Sequence, residues 1–271
     1  MTRFSDRIGV TQPPSLAREG MPLELRTALW SLVHRIFFED ADLHDTWRNC
    51  ALRSFYDLHH LPRHNVGSTR VQQQRNMIAW WFDEERSWWE FYNTIEHLGS
   101  QIVSRYRNFY AQCNVMLEAE GSKFRFVGTE LSQITDENEI AAVNQALRAT
   151  DRFGGAREHI AAALRLLGQR PEPDYRNSIR ESITAVESTL KVLTGMEHAP
   201  MGDALRSFGR THPIHASLFK GLDRLYGYTC NEHGIRHALI EAEANVGFSE
   251  AKFMVVAGAA FVSFLIAKGA T

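Results

Sequence analysis

A chain of 271 residues with 44% hydrophobic composition is long enough to bury the core of one large domain or two ordinary domains. Its net charge of -2, with the histidines counted as neutral, excludes a polycation that binds nucleic acid over its whole surface. Any contact with a phosphate backbone must therefore come from a local patch of basic side chains.

The three cysteines lie far apart, and none of them forms a CxxC pair. An odd, scattered set of this kind argues against a disulfide framework and against a structural zinc site. No signal peptide is evident at the start, so we expect a cytoplasmic protein with reduced thiols. The sequence also lacks GxxxxGK[ST] and GxGxxG motifs, and we expect neither a cofactor nor a metal. The cysteines are Cys50, Cys113 and Cys230.

Residues 1 to 20 are polar and contain adjacent prolines, which predicts an N-terminal arm that is ordered only where it docks. The stretch PLELRTALWSLVHRIFF predicts a helix from Pro22, because its apolar residues recur at spacings of three and four. A second helix is predicted from about Leu43 to Leu58. The next stretch, HHLPRHNVGSTRVQQQR, could hold a phosphate backbone, although a solvated, mildly basic loop is the favoured interpretation.

A long helix is predicted from about Thr69 to Leu98, and it contains two tryptophan pairs. Aromatic rings at this density could stack on nucleic-acid bases. The pairs are seven to eight residues apart, however, which places them on one side of a continuous helix and favours packing inside the domain. The four side chains are Trp80, Trp81, Trp88 and Trp89.

The rest of the N-terminal half predicts more helices and one hairpin. The stretch KFRFVGTELSQIT alternates apolar and polar residues around Gly128, which predicts a small β-hairpin near residues 122–134. The prolines in QRPEPD then disfavour helix, so the N-terminal helical domain is predicted to cover residues 21–170. Helices in this part are expected at about 101–118, from a cap at Asp136 or Thr135 to about 149, and at 157–168.

The C-terminal domain is predicted to cover residues 174–271 as a bundle of roughly four to five helices. The domain begins with a long helix, for which Asp174 is the predicted N-cap and Gly195 the residue that ends it. The chain as a whole is therefore predicted to be mainly α, with two helical domains and one hairpin in the first.

The last helix, capped by Ser249, is apolar on nearly every side and so requires burial all round. Only about 15 residues separate Lys252 from Lys268, fewer than the ~20 that a membrane span needs. A central bundle helix is therefore favoured over a membrane helix, and a second copy of the chain could cover part of its surface.

Several segments carry a family likeness. YRNSIRESITAVES, LYGYTCNEHGIRHAL and SEAKFMVVAGAAFVSFLIAK resemble the C-terminal HEPN-like domain of bacterial abortive-infection proteins of the AbiJ type. FSDRIGV, LELRTALWSLV and FRFVGTELSQITDENEI resemble the N-terminal domain that accompanies that module, so the resemblance covers nearly the whole chain.

The resemblance implies an all-helical anti-phage defence protein that acts as a homodimer in the cytoplasm, away from membranes. It also implies that the HEPN-like half cleaves RNA without a metal, in response to a phage-derived trigger or partner protein. HEPN ribonucleases generally carry an arginine and a polar residue four to six residues before a histidine, and two copies meet across the dimer cleft.

The implied catalytic pair is Arg236 and His237, because GIRHA is the part of the chain that carries the likeness. The two residues are adjacent, which departs from the family spacing, and Arg224 lies thirteen positions before the histidine. Four other pairs satisfy the loose spacing: Arg53 and His59, Arg152 and His159, Arg206 and His212, and Arg210 and His215.

RNA cleavage without a metal needs a base for the ribose 2′-hydroxyl, positive charge on the phosphate, and a proton for the leaving oxygen. His237 is the candidate general base or acid, and Arg236 is the candidate phosphate clamp. Neighbours on a helix point about 100° apart, but Gly234 permits an irregular helix start at which both could face one phosphate. From the long helix, Glu181 and Asn177 could orient these side chains.

The predicted RNA-binding residues Arg176, Asn177 and Arg180 belong to the same long helix. A purely structural alternative stays open, in which Arg236 pairs with a carboxylate of this helix and His237 bonds a backbone carbonyl. The protein would then be a non-catalytic sensing or dimerisation protein that binds a partner through its tryptophan-rich N-terminal half.

Overall fold

The structure is a computed structural model, and its described residues form a mainly α fold with one small β-hairpin, as predicted. Backbone contacts divide the chain into a first unit, residues 1–133, and a second unit, residues 134–271. The predicted arm lies outside the described residues except for Gly20. The structure describes residues 20–39, 45–61, 69–102, 106, 108–169, 172–230 and 246–270.

The first unit is helical up to a C-terminal hairpin. Its first helix continues into a π-helical turn, Arg35–Glu39. Within the described residues its elements are α1 (Leu23–His34), α2 (Asp45–Leu58), α3 (Arg70–Trp81), α4 (Trp88–Ile102), α5 (Phe109–Ala119), β1 (Arg125–Val127) and β2 (Glu130–Ser132).

Aromatic side chains from α1, α3 and α4 form the core of the first unit. Trp81 is fully buried, and its indole Nε1 donates a hydrogen bond to the carbonyl oxygen of Arg26 at 2.8 Å. Its ring centroid lies 5.8 Å from those of Trp30 and Phe91. Cys113 is a free thiol in the same core, and its burial raises the pKa of that thiol.

The predicted continuous helix over residues 69–98 is wrong, because α3 and α4 are separated by a turn. In that turn the Asp83 carboxylate accepts a hydrogen bond from the Glu85 N–H at 3.1 Å. The Glu90 carboxylate accepts one from the Ser87 N–H at 2.9 Å. These local bonds between side chains and backbone compete with the helical hydrogen bonds and end α3.

The break also separates the two tryptophan pairs. Trp80 and Trp81 pack inside the first unit, as predicted, whereas Trp88 and Trp89 are exposed. The prediction that all four lie on one side of a single helix is therefore wrong, since the turn redirects the chain between the pairs.

The predicted hairpin is confirmed by the antiparallel pairing of β1 with β2, in which Phe126 lies opposite Leu131. Gly128 in the turn has a φ of 64°, a left-handed conformation that favours glycine. The hairpin is held to neighbouring helices by two side chains. Asn114 of α5 bonds both the N–H and the carbonyl of Phe126, and Glu96 of α4 accepts from the Leu131 N–H at 2.6 Å.

The stretch predicted to be a solvated basic loop begins with a histidine that packs against the core. His59 lies with its ring centroid 4.1 Å from that of Trp80, and its Nε2 is 2.8 Å from the Thr94 hydroxyl. The Arg86 guanidinium stands 4.7 Å from the centroid of the same tryptophan ring. His59 is therefore a packing residue, whereas residues 62–68 of the stretch lie outside the described residues.

We expect the first unit to lose stability as the pH falls from about 6.5 to about 4. Burial, with a smaller contribution from Arg86, lowers the pKa of His59 from 6.5 to about 4. The unfolded chain therefore binds a proton in this window that the folded chain does not, and the loss should reach about 1–2 kcal/mol after allowance for solvent screening. Urea unfolding followed by tryptophan fluorescence measures it, since all six tryptophans lie in residues 1–133.

The control for this prediction is a pair of histidine substitutions. His59→Phe should remove part of the pH dependence, while His60→Gln, at an exposed neighbour that contributes least to the lowered pKa of His59, should change it only slightly. The pKa of His97 is also lowered by burial, so the first variant should keep some dependence. Identical pH profiles for His59→Phe and the wild type would contradict the prediction.

The second unit is a helical bundle in which three helix ends follow the predicted signals. The Asp136 carboxylate accepts from the N–H groups of Asn138 and Glu139, and Asp174 caps the long helix. Gly195 ends that helix with a φ of 71°. Its described elements are α6 (Glu137–Leu147), a 3-10 turn (Asp151–Phe153), α7 (Gly154–Gly168), α8 (Tyr175–Thr194), α9 (Met201–Thr211), α10 (Ala216–Cys230) and α11 (Phe248–Gly269).

The long helix α8 is the centre of the second unit, with α7, α9 and α11 packed against it. The compact unit begins at Ile134, so it includes α6 and α7, which the sequence had assigned to a domain ending at residue 170. The packing of α6 on α11 and of α7 on α8 explains this difference. The division into compact units does not test the predicted domains, residues 21–170 and 174–271, which stay a prediction.

The C-terminal helix α11 packs on α8 through a very close contact. A Cβ atom at Gly258 would lie 2.9 Å from the backbone carbonyl oxygen of Ser182. The helix begins one residue before the predicted cap, and the Glu250 carboxylate accepts from the Gly247 N–H at 3.1 Å. Within one chain the helix is not buried on all sides, because Phe253 is 58% exposed.

Helix α11 also bears on the question of membranes. Among the described residues it is the one helix long and apolar enough to cross a bilayer by length and composition. In its most apolar window 44% of the residues are buried inside the protein. The Lys252 ammonium on this helix contacts both carboxylate oxygens of Glu139 on α6, at 2.8 and 2.9 Å.

Candidate functional site

The predicted catalytic pair, Arg236 and His237, lies in residues 231–245, outside the described residues. Of the other predicted residues, Arg224 is exposed on α10. No hydrogen bond or ion pair joins it to the predicted residues of α8 within the described part of the chain. The remaining predicted residues lie in the first two turns of α8, where a cap and a cross-helix pair determine their surroundings.

Asn177 is engaged in the N-terminal cap of α8. Its backbone N–H donates to one Asp174 carboxylate oxygen at 3.0 Å, and its side-chain amide donates to the other at 2.7 Å. This arrangement satisfies an N–H group that the start of a helix otherwise leaves without a partner. Arg176 is half-buried on the same turn, and Arg180, one turn further along, is exposed.

Glu181 is paired with a histidine that the sequence had not assigned to it. Its Oε2 atom lies 2.6 Å from Nδ1 of His159 on α7. The side chains are 24% and 35% exposed respectively, so the pair is accessible from one side. The predicted role of Glu181 beside Arg236 or His237 stays a prediction.

The pair sits in the middle of an antiparallel contact between α7 and α8. On one side, the Ser178 hydroxyl donates to the carbonyl oxygen of Ala163 at 2.7 Å. On the other side, a Cβ atom at Gly155 would come within 2.9 Å of the Ser188 hydroxyl oxygen. Small residues on both helices thus let the two backbones approach closely and hold the His–Glu pair between them.

The hydrogen bond determines which ring nitrogen is available. A carboxylate accepts hydrogen bonds, so Nδ1 of His159 must carry the proton that it shares with Glu181. In the neutral ring, Nε2 is then left with its lone pair. An imidazole held in this way can take up or release a proton at Nε2, which is the chemistry expected of a general acid or base.

Sequence patterns could not identify this pair. In the sequence, His159 was only the histidine of one of several pairs that satisfy the loose arginine-to-histidine spacing. Glu181 was predicted to orient His237 or Arg236, not His159. The signal that could have found it is the set of small residues at Gly155, Ala163 and Ser178, which permits a close antiparallel helix contact. Even so, the register of α7 on α8 is needed to bring the two side chains together.

An apolar groove lies between α10 and α11 in the second unit. Its volume is about 400 Å³, and Tyr228 and Phe253 on its walls are exposed. The described residues contain no group of three or more histidine, cysteine or acidic side chains that could hold a metal ion. The groove is lined by Leu225, Tyr228, Ser249, Glu250, Phe253 and Met254.

These observations define a mainly helical protein. Its first unit has an aromatic core and a hairpin, and its second unit is a helical bundle with an accessible pair formed by His159 and Glu181. The chain belongs to the family AbiJ N-terminal domain 4, which matches residues 2–149. Neither the curated proteins nor the solved structures contain a match. The predicted AbiJ-like N-terminal domain is therefore confirmed, and the match connects the chain with abortive-infection defence.

Proposed function

We propose that this protein is an anti-phage abortive-infection protein whose C-terminal half is a HEPN-like ribonuclease that needs no metal. The observation that carries the proposal is the family match over residues 2–149. The C-terminal segments quoted above, which resemble the HEPN-like domain, extend it to the second unit. The protein would act in the cytoplasm as a homodimer, with RNA as substrate and a phage-derived trigger or partner protein.

In this proposal Arg236 holds the scissile phosphate and His237 transfers a proton, with Arg224 as an additional cation. The α8 surface supports such chemistry because Glu181 already holds an imidazole ring by a 2.6 Å hydrogen bond. Arg180 is exposed next to it in the sequence and can meet a phosphate. The apolar groove between α10 and α11 supports the homodimer, since it offers a second copy an exposed surface.

The test is incubation of the purified chain with total RNA in EDTA. We expect cleavage that Arg236→Ala and His237→Ala each reduce at least about 100-fold, the usual contribution of a positioned acid or base. His198→Ala is the matched control, because this histidine is exposed on the loop between α8 and α9. Intact RNA with the wild type, or full cleavage by His237→Ala, would show that the proposed site is not catalytic.

The alternative is a non-catalytic sensing protein, and the exposure of Trp88 and Trp89 favours it. Exposed tryptophans are well suited to binding a partner protein. In phage-challenged cells this alternative predicts that Trp89→Ala abolishes protection and that Arg236→Ala does not. The ribonuclease proposal predicts loss of protection with Arg236→Ala.

A further inference from the structure

We infer that His159 and Glu181 form a proton-transfer site for the proposed RNA cleavage, with His159 as the general base and Glu181 as the residue that positions it. This inference rests on the proposed ribonuclease function and names a catalytic base for it. It depends on the geometry of α7 and α8, not on the residues that carry the family likeness.

The packing of α7 on α8 holds the pair rigidly. The contacts at Ser178 with Ala163 and at Gly155 with Ser188 lie on either side of it along the same helix pair. Two packed helices hold a catalytic side chain more firmly than a loop does. The imidazole of His159 therefore keeps one orientation without reorganisation during the reaction.

The direction of the hydrogen bond leaves one nitrogen of the His159 ring available. Glu181 occupies Nδ1, and within the described residues this is the one hydrogen bond that the His159 ring makes. The lone pair of the neutral ring is then on Nε2, and the ring is one-third exposed. A substrate hydroxyl can reach that nitrogen from solvent.

The pair is not needed to hold α7 on α8. The two helices already share buried apolar residues and the hydroxyl bond from Ser178. A partly exposed ion pair adds little to stability. The short contact between Glu181 and His159 is better explained by orientation of the ring than by cohesion of the bundle.

The reaction that this geometry allows is transesterification of RNA. His159 Nε2 takes the proton of a ribose 2′-hydroxyl, and the 2′-oxygen forms a bond to phosphorus. The bond from phosphorus to the 5′-oxygen breaks, and that oxygen takes a proton from His237, to which the proposed function assigns proton transfer and which regains a proton from solvent. The imidazolium then returns its proton to solvent, leaving a 2′,3′-cyclic phosphate and a 5′-hydroxyl. The exposed Arg180 holds the phosphate through its guanidinium.

The experiment measures kcat and KM of the full chain on a fluorescent RNA oligonucleotide in EDTA. We expect His159→Ala to lower kcat at least about 100-fold with little change in KM, and added imidazole to restore part of the activity. Glu181→Gln should lower kcat about 10-fold or more at unchanged KM, and Arg180→Gln should mainly raise KM. All variants should melt at the wild-type temperature.

Two controls separate a catalytic role from a structural one. Glu187→Gln alters another α8 carboxylate, which pairs with Lys191 at 3.3 Å, and should leave kcat unchanged. His159→Gln keeps a polar side chain in case the alanine variant does not fold, and should also lose activity. The product ends should be a 2′,3′-cyclic phosphate and a 5′-hydroxyl.

The outcomes distinguish this inference from the proposal on which it rests. If the wild type cleaves RNA and a folded His159→Ala cleaves equally well, the dyad is overturned and the ribonuclease stands. Loss of activity that imidazole does not restore, accompanied by a lower melting temperature, would likewise reduce the pair to a structural contact. If the wild type leaves the oligonucleotide and total RNA intact, both the ribonuclease and the dyad are overturned.

Discussion

Gly258→Val is expected to destabilise the second unit by about 2–3 kcal/mol, because it forces bulk into the contact between α11 and α8. A Cβ atom there would lie 2.9 Å from the carbonyl oxygen and 3.2 Å from the Cβ of Ser182. The carbonyl belongs to the backbone of a buried helix, so it cannot move aside as the end of a flexible side chain could. The helices must separate, and the buried contacts along α11 are lost with them.

Urea unfolding followed by far-UV circular dichroism measures this loss. Ala260→Val is the matched control, because it places the same side chain on the exposed side of the same helix. It should change the unfolding free energy by only about 0.5 kcal/mol, the helix-propensity cost of a β-branched residue. Equal midpoints for the two variants would mean that α11 does not approach α8 as closely as the structure indicates.

Features that depend on neighbouring residues could be predicted from the sequence. Asp136 and Asp174 cap the helices predicted for them, and Gly195 ends the long helix with a left-handed conformation. Gly128 forms the turn of the hairpin for the same reason. In each case a short polar side chain or a missing Cβ favours one local backbone geometry, whatever the rest of the chain does.

Features that depend on competition or on register could not be predicted. The 82–87 turn contains no proline or glycine, and it forms because Asp83 and Glu90 bond backbone N–H groups that a continuous helix would use otherwise. His159 and Glu181 are 22 residues apart in sequence, and they meet only because α7 and α8 pack antiparallel. Hydrophobic periodicity shows which face of a helix is buried. It does not show which residues along that face meet a given residue of the neighbouring helix.

For the candidate site, the sequence and the structure contribute different parts. The GIRHA likeness selects Arg236 and His237, which lie outside the described residues. The structure instead identifies an imidazole already oriented by Glu181. The two sets share that carboxylate, and with one histidine as the base and the other as the acid, His237→Ala and His159→Ala should each lower kcat.

Trp81→Ala is expected to destabilise the first unit by about 3–5 kcal/mol, the usual cost of emptying a buried tryptophan site. The side chain is fully buried, and its removal also leaves the Arg26 carbonyl without the indole donor at 2.8 Å. The Trp30 and Phe91 rings would then face a cavity. Urea unfolding monitored by the fluorescence of the remaining tryptophans, and confirmed by circular dichroism, measures the change.

Trp89→Ala is the matched control, since this side chain is 51% exposed on α4. Its removal should change the unfolding free energy by less than about 0.5 kcal/mol. The comparison also tests the turn between α3 and α4, because residues eight apart on a continuous helix differ in direction by only about 80° and would face the same half of the helix. A loss of stability with Trp89→Ala as large as that with Trp81→Ala would contradict the broken helix and restore the continuous one.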